Sequence, residues 1–229
     1  MRVSDRAERI PAEGLRASDA YRLMTDVVAP RPIAWVSTLD PQGRANLAPF
    51  SYFQAVCSSP PTVILSISSR PDGRPKDTLA NLLATRELTI NHVGEEQVEA
   101  MNATSGPFEP DVDEWALVGD GADPLPSAPA SVVAPPRVAG SRASMECRMV
   151  RSIPLGQGPG GAPSSTLVIA EVLVFWVAEG LVQRDERGRL RPMDPAGLAA
   201  VGRLGGMSYA RTRDAFALPR PDTEPRSSS

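Results

Sequence analysis

The chain has 229 residues, with 24 Lys+Arg against 27 Asp+Glu and a formal net charge of −3. Charge this close to balance gives no electrostatic reason to expect nucleic acid or an anionic membrane as partner. A single histidine, His92, excludes His-rich metal sites and any catalytic set that needs two imidazoles. Lys76 is the only lysine, so the remaining basic residues are arginine. Hydrophobic residues at 41% and charged residues at 22% are ordinary globular values. The two cysteines, Cys57 and Cys147, form no CxxC and read as buried free thiols in a reducing compartment. The opening residues are charged rather than leader-like, and the longest apolar run, 167–178, is broken by Glu171 and too short to span a bilayer. A soluble cytoplasmic protein with no membrane partner is the expectation.

Residues 1–16 are polar and read as a flexible N-terminal segment. Ser18 and Asp19 suit a helix N-cap before residues 20–27. Ala29-Pro30-Arg31-Pro32 stops that helix. Residues 33–39 (IAWVSTL) and 44–49 flank the turn residues 40–43 (DPQG) and predict a hairpin. Ser58-Ser59-Pro60-Pro61 is a break, and 62–68 (TVILSIS) is a strand. A turn-rich loop, 69–75, runs into a helix over 79–84, then a strand over 87–93 and a helix over 95–102. Residues 105–130 read as surface loop with one short helix near Trp115. Strands follow at 131–134 and 145–153, a glycine-rich tip of expected mobility at 155–165, and a long strand at 166–178. The tail, 219–229, reads as disordered. Short strands with helices inserted predict one mainly β domain with added helices (α+β), over 17–218.

Two stretches carry chemistry. Residues 66–78 (SISSRPDGRPKDT) hold three serines, two arginines and Lys76, and end where a helix begins. A helix N-terminus presents unpaired N–H groups and partial positive charge, so it favours anions, and Asp77 or Thr78 could cap it. The GxxxxGK[ST] spacing of a triphosphate loop is absent. An exposed basic turn explains the same residues. Residues 46–53 (NLAPFSYF) can lay a backbone along a flat ligand, with Asn46 and Ser51 bonding its edge, or can equally be a strand with core aromatics. His92 reads as a satisfied structural histidine. No Ser-His-Asp, Cys-His or paired-carboxylate set appears, which leaves room for a cofactor to carry the chemistry.

The chain resembles the flavin reductase-like family of FMN-binding split-barrel proteins. Five pieces carry the resemblance in order: PRPIAWVSTLDPQGRANLAPFSYF (30–53), PPTVILSIS (60–68), GRPKDTLANLLATRELTIN (73–91), PSAPASVVAPPRVAGSRASMECRM (126–149) and VGRLGGMSYARTRDAF (201–216). The resemblance implies a Greek-key-like split β-barrel, a homodimer, and FMN near the subunit interface. It implies Asn46, Ala48, Pro49, Phe50 and Ser51 along the ring and ribityl side. It places Ser66, Ser68, Arg74, Lys76, Asp77 and Thr78 at the phosphate end, and Arg203, Gly205, Gly206 and Tyr209 in a motif near the flavin. The implied activity is hydride transfer from NADH or NADPH to flavin, with electrons passed to free flavin, a partner monooxygenase or a small-molecule acceptor. A non-catalytic FMN carrier or sensor, and an oxidase of pyridoxamine-phosphate type on a similar barrel, are the other readings. Leu88, where members often carry an aromatic, and the segments 119–126 and 155–165 depart from the family pattern.

Overall fold

The structure is a computed structural model that describes residues 7–109, 112–119 and 123–219. Residues 1–6 of the expected N-terminal segment and 220–229 of the expected tail lie outside them. The first helix, α1 (Ala17–Val27), begins earlier than its predicted cap. Arg16 stands at the N-cap position without a side-chain cap, and Asp19 sits in the first turn, 2.7 Å from the Arg16 guanidinium. Acidic charge is favourable there, which explains why Asp19 imitates a cap in sequence.

Strands β1 (Ala34–Leu39) and β2 (Ala45–Phe50) form the predicted hairpin, in register from Ala34 opposite Phe50 to Leu39 opposite Ala45. The Asp40 carboxylate closes the turn by accepting the backbone N–H groups of Gln42 and Arg44. Strand β3 (Phe53–Ser58) is not expected from sequence. It pairs with β4 (Pro61–Ser68) at the sheet edge. Most of it is exposed, so no apolar alternation marks it. That exposure also corrects the reading of Cys57, which is exposed, whereas Cys147 is buried as expected.

Helix α2 (Asp77–Thr85) starts one residue after Lys76, which is its N-cap. Neither Asp77 nor Thr78 caps it, because both already lie inside the first turn. Then come β5 (Glu87–Asn91), a 3-10 turn into α3 (Val98–Ala103), and α4 (Glu114–Leu117). Glu114 and Trp115 are buried, so the expected surface loop dips into the protein here. Two short strands, β6 (Ser127–Ala128) and β7 (Arg137–Val138), bracket a segment predicted as a strand at 131–134. That strand does not form. The N–H groups of Ser131, Val132 and Val133 turn instead onto the buried carboxylate of Glu146. A charged acceptor in the interior competes successfully with a ladder.

The long strands β8 (Ala143–Leu155) and β9 (Ser165–Val177) complete a seven-stranded antiparallel sheet of order β2-β1-β5-β8-β9-β4-β3. Their connecting tip packs on the 69–75 loop: Ser69 donates its N–H to Ser164 O and its hydroxyl to Pro163 O. The chain ends with α5 (Pro195–Leu198) and a small hairpin of β10 (Val201–Arg203) and β11 (Tyr209–Arg211). The curled sheet encloses one core, which includes Val36, Leu65, Ile67, Leu88, Ile90, Val168 and Ala170. A second core outside it packs Trp35, Leu47, Met101, Trp115 and Val138, fixing α3 and α4 against the β1–β2 hairpin.

Candidate functional site

Strand β2 is an edge strand, and what covers its free edge defines the site. Pro49 is tolerated there because an edge position needs no ladder donor. The mouth of α2, the 104–108 turn and Glu114 close over this edge. Together they enclose a cavity of about 160 Å³ lined by Asn46, Ala48, Pro49, Phe50, Lys76 and Thr78 among others. A second hollow of about 110 Å³ shares Pro49, Phe50 and Ser105 with the first and continues to Ser51, Arg203 and Tyr209. The two form one groove along β2, with a lysine at one end and an arginine at the other.

The α2 end is built for an anion. The Lys76 backbone carbonyl accepts the Ala80 N–H at 3.0 Å, but its ammonium makes no hydrogen bond or ion pair among the described residues. Its Nζ lies 5.8 Å from the centre of the Phe50 ring, within cation–π range. Partial desolvation, with Arg70 nearby, holds the Lys76 ammonium below its ordinary value of 10.5. The first N–H groups of α2 have no partners earlier in the helix. Thr78 is buried, and its hydroxyl accepts from Asn46 Nδ2 at 2.9 Å. Asn46 also donates to Thr38 Oγ1 at 3.3 Å, so its amide nitrogen is spent on the scaffold and only its carbonyl oxygen is free.

Asp77 is held away from anion duty by Arg70, whose Nη2 donates to its carboxylate at 2.6 Å. Arg70 also donates to the carbonyl of Phe108 at 3.0 Å and so ties the 104–108 turn to α2. Arg74 points elsewhere: it is exposed and paired with Asp72 at 2.6 Å. Ser66 and Ser68 lie on β4 opposite the core-facing Leu65 and Ile67, outside the lining of the cavity. The structure therefore brings together Asn46, Ala48, Pro49, Phe50, Lys76, Asp77 and Thr78, and leaves Ser66, Ser68 and Arg74 apart from them.

At the far end, the Arg203 guanidinium stacks 4.5 Å from the Tyr209 ring centre, and Tyr209 donates to Asn102 Oδ1 at 2.9 Å. Gly205 and Gly206 shape the hairpin between them. A Cβ on Gly205 would lie 1.6 Å from Asp26 Oδ1, and Gly206 has φ +59°. A side chain at Gly205 would have to displace the Asp26 carboxylate, and the Gly206 backbone conformation favours glycine.

Glu114 and the 104–108 turn are site residues that sequence reading missed. Glu114 accepts the Leu47 N–H at 3.2 Å from beside the cavity. Burial pushes its carboxyl up, with Asp77 and Asp113 adding to the effect, while the Leu47 N–H opposes it. The only signal was Asp113, which caps the four-residue α4. No group of three or more His, Cys, Asp or Glu able to hold a metal occurs among the described residues. No helix there is long and apolar enough to cross a membrane.

The chain is 36% identical to an uncharacterized protein of Halalkalibacterium halodurans over 93% of its own length and 96% of the relative's. Nitrilotriacetate monooxygenase component B from Bacillus cereus superposes with a TM-score of 0.83 at 32% identity, over 94% of this chain and all of that one. The 2-nitrobenzoate 2-nitroreductase of Pseudomonas fluorescens gives 0.78 at 27% identity, over 96% of this chain and all of that one. The architecture is that of the flavin reductase split barrels. With residues 27–193 matching the flavin reductase like domain, the chain belongs to that family.

Proposed function

We propose that the groove along β2 binds FMN and that the protein is a flavin-dependent oxidoreductase, drawing hydride from NADH or NADPH. The observation that carries this reading is the unpaired ammonium of Lys76 beside the open N-terminus of α2, at one end of a groove that follows a strand edge. The donor set fits a phosphate: a cation, helix N–H groups, and the Thr78 hydroxyl. The groove wall at Ala48, Pro49 and Phe50 offers a flat, mostly apolar surface for a ring system. When bound, FMN supplies the two-electron chemistry that no side-chain set here provides.

The chain's own residues then bind, orient and shield. Lys76 and Thr78 anchor the phosphate. Asn46 holds Thr78 in place, and Arg70 closes the 104–108 turn over the cavity. Arg203 and Tyr209 border the open end, where a second substrate would arrive. The acceptor is a partner monooxygenase or a small molecule; the former is supported by the likeness to a monooxygenase component. Homodimerisation is supported by an apolar surface on α1 and beside it, where Tyr21, Met24, Val27 and Val28 are exposed together with Tyr52. Sedimentation as a monomer would exclude it.

The visible spectrum of purified protein, recorded with FMN before and after NADH and NADPH, tests the function. Flavin bands that bleach with one donor are the expected outcome. Absence of bound flavin and of FMN affinity would end this reading. Tight FMN binding without nicotinamide oxidation would make the protein a carrier.

A further inference from the structure

The lining of the Lys76 cavity divides into two kinds of polar surface. At one end stand donors, the Lys76 ammonium and the first N–H groups of α2. Elsewhere the donors are turned onto the protein itself. Thr104 donates to Met101 O and accepts the Trp35 indole N–H, and Ser105 donates its hydroxyl to Asn102 O. Arg70 is drawn to Asp77 and the Phe108 carbonyl, and the Asn46 amide nitrogen to Thr38 and Thr78. The β2 edge adds none. Its Leu47 N–H goes to Glu114, and Pro49, which faces the same edge, has no N–H.

What remains is an acceptor, the carboxylate of Glu114. This residue is 6% exposed. It stands where the Lys76 cavity meets a third hollow, of about 220 Å³, beside α2. Oε2 accepts the Leu47 N–H at 3.2 Å. Oε1 has no partner at hydrogen-bond distance among the described residues, yet it is not sealed from the hollow. The ring nitrogens of His92 make the contrast: they are buried, unpartnered and closed off. His92 is therefore not the satisfied residue expected from sequence, and it offers nothing to a ligand. No lysine or arginine pairs with Glu114 among the described residues. Burial raises its carboxyl, Asp77 and Asp113 add to that, and the groups opposing them are backbone N–H, its own and that of Leu47. A carboxylate has about four acceptor positions, and leaving them open in the interior is costly.

We propose that Glu114 selects the side chain of the ligand, its Oε1 accepting hydroxyl groups of a phosphorylated polyol whose phosphate sits at Lys76. The division of the cavity carries this: donors gather at the α2 end for an oxyanion, and an unfilled acceptor waits beyond them for a donor. A ligand ammonium would also satisfy the carboxylate. It would then share a cavity of about 160 Å³ with Lys76, where like charges repel. A hydroxyl carries no such cost. The inference rests on the flavin reading, and within it separates FMN from a flavin phosphate with a bare alkyl chain.

Fluorescence titration of the full chain with FMN and with an analogue whose N10 chain is a plain phosphopentyl group tests it. Ring and phosphate are common to the two compounds, and the hydroxyls are not. We expect wild type to favour FMN about 10- to 100-fold, the ratio for a hydrogen bond to a charged group. Glu114→Ala should weaken FMN, leave the analogue nearly unchanged and bring the two within about threefold. Glu114→Gln keeps an acceptor for the Leu47 N–H and should also shrink the preference, so it carries the test even where Glu114→Ala does not fold. Lys76→Ala should weaken both compounds and keep their ratio. Equal affinity of wild type for the two compounds overturns the proposal, as does a preference that both variants retain. Equal weakening of FMN and analogue by Glu114→Ala makes the residue merely structural and overturns it as well. In each of those cases FMN still binds and the flavin reading stands. Failure of wild type to bind either compound ends the flavin reading and this proposal with it.

Discussion

The groove over β2 and the apolar cavity walled by Phe53, Ile90, Phe175 and Trp176 differ in what they present. The groove presents an ammonium at the mouth of a helix, and its neighbours are polar and cross-linked by Asn46 to Thr78 and by Arg70 to Asp77. The cavity presents aromatic and aliphatic side chains, and the ring nitrogens of His92 beside it are buried rather than open to it. The contrast teaches that a polar group counts toward a site only where it reaches the surface of the hollow. An accessible cation beside helix N–H groups suits a phosphate; an apolar wall with no accessible donor offers contact area alone.

The largest expected effect falls on Glu146, which anchors Trp176 in the wall of the apolar cavity. Glu146 is fully buried and accepts from Ser131, Val132, Val133 and the Trp176 indole. Burial alone would raise its carboxyl, but the bonds from Trp176, Val132 and Ser131 outweigh that and hold it low. Glu146→Ala strands those donors and should cost at least ~3 kcal/mol, read as a shift in urea midpoint. A loss below about 1 kcal/mol would show that the 131–133 segment does not depend on it.

Next comes the groove. Lys76→Ala should weaken FMN about 10- to 100-fold, as for one charged hydrogen bond of roughly 1.5–3 kcal/mol, measured by flavin fluorescence. Unchanged affinity would put Lys76 outside the phosphate site. A smaller change, about fivefold in FMN affinity, is expected for Thr78→Val, which removes one neutral hydrogen bond and leaves the Asn46 amide with Thr38 Oγ1 as its remaining acceptor; an unaltered titration would relegate Thr78 to packing.

The pH response sharpens the comparison. Desolvation and Arg70 lower the Lys76 ammonium in the folded chain. Below that folded value the lysine is charged, so FMN affinity should hold at neutral pH. It should fall as pH rises through a point under 10.5, earlier than for a free lysine. Linkage has the opposite sign for the FMN-free protein. In that window the unfolded state keeps a proton the folded state has released, so stability rises with pH. Lys76→Arg should flatten the affinity curve, and a fall that persists in that variant would assign it to another group. The smallest effect is chemical. Cys57 is exposed and should react with a thiol reagent, while burial, with Glu146 beside it, pushes Cys147 up to about 12. One reactive thiol per native chain is expected, and two in urea; two in the native protein would contradict the burial of Cys147.

Legibility in sequence followed local contrast. The β1–β2 hairpin and β4 announce themselves through dense β-branched residues beside turn chemistry, and the mouth of α2 through a proline-glycine loop running into an apolar run. β3 has no such contrast, because an edge strand exposed on both faces needs no alternation. Glu146 sits in a strand pattern like any polar residue, and nothing nearby in sequence reveals that residues 131–133, on a separate segment, bend to meet it. Arg70 and Arg74 look interchangeable in SRPDGRPK. Asp72 decides between them: it lies two residues before Arg74, captures that side chain in the turn, and leaves Arg70 to reach Asp77.

Arg31 carries a consequence for how the chain is assembled. Its guanidinium binds the carbonyls at the end of α1 and that of Leu204, and its backbone pairs with Arg203 in both directions. The first helix therefore docks on the β10–β11 hairpin, which a ribosome makes long after it. Domains fold during synthesis from the N-terminus onward, yet here α1 must wait for a partner at a sequence separation of 173, from Arg31 to Leu204. Until that hairpin emerges, α1 and its exposed apolar side chains have no fixed place, and the arginine-bordered end of the groove does not exist. The groove is thus completed only once that hairpin has been made.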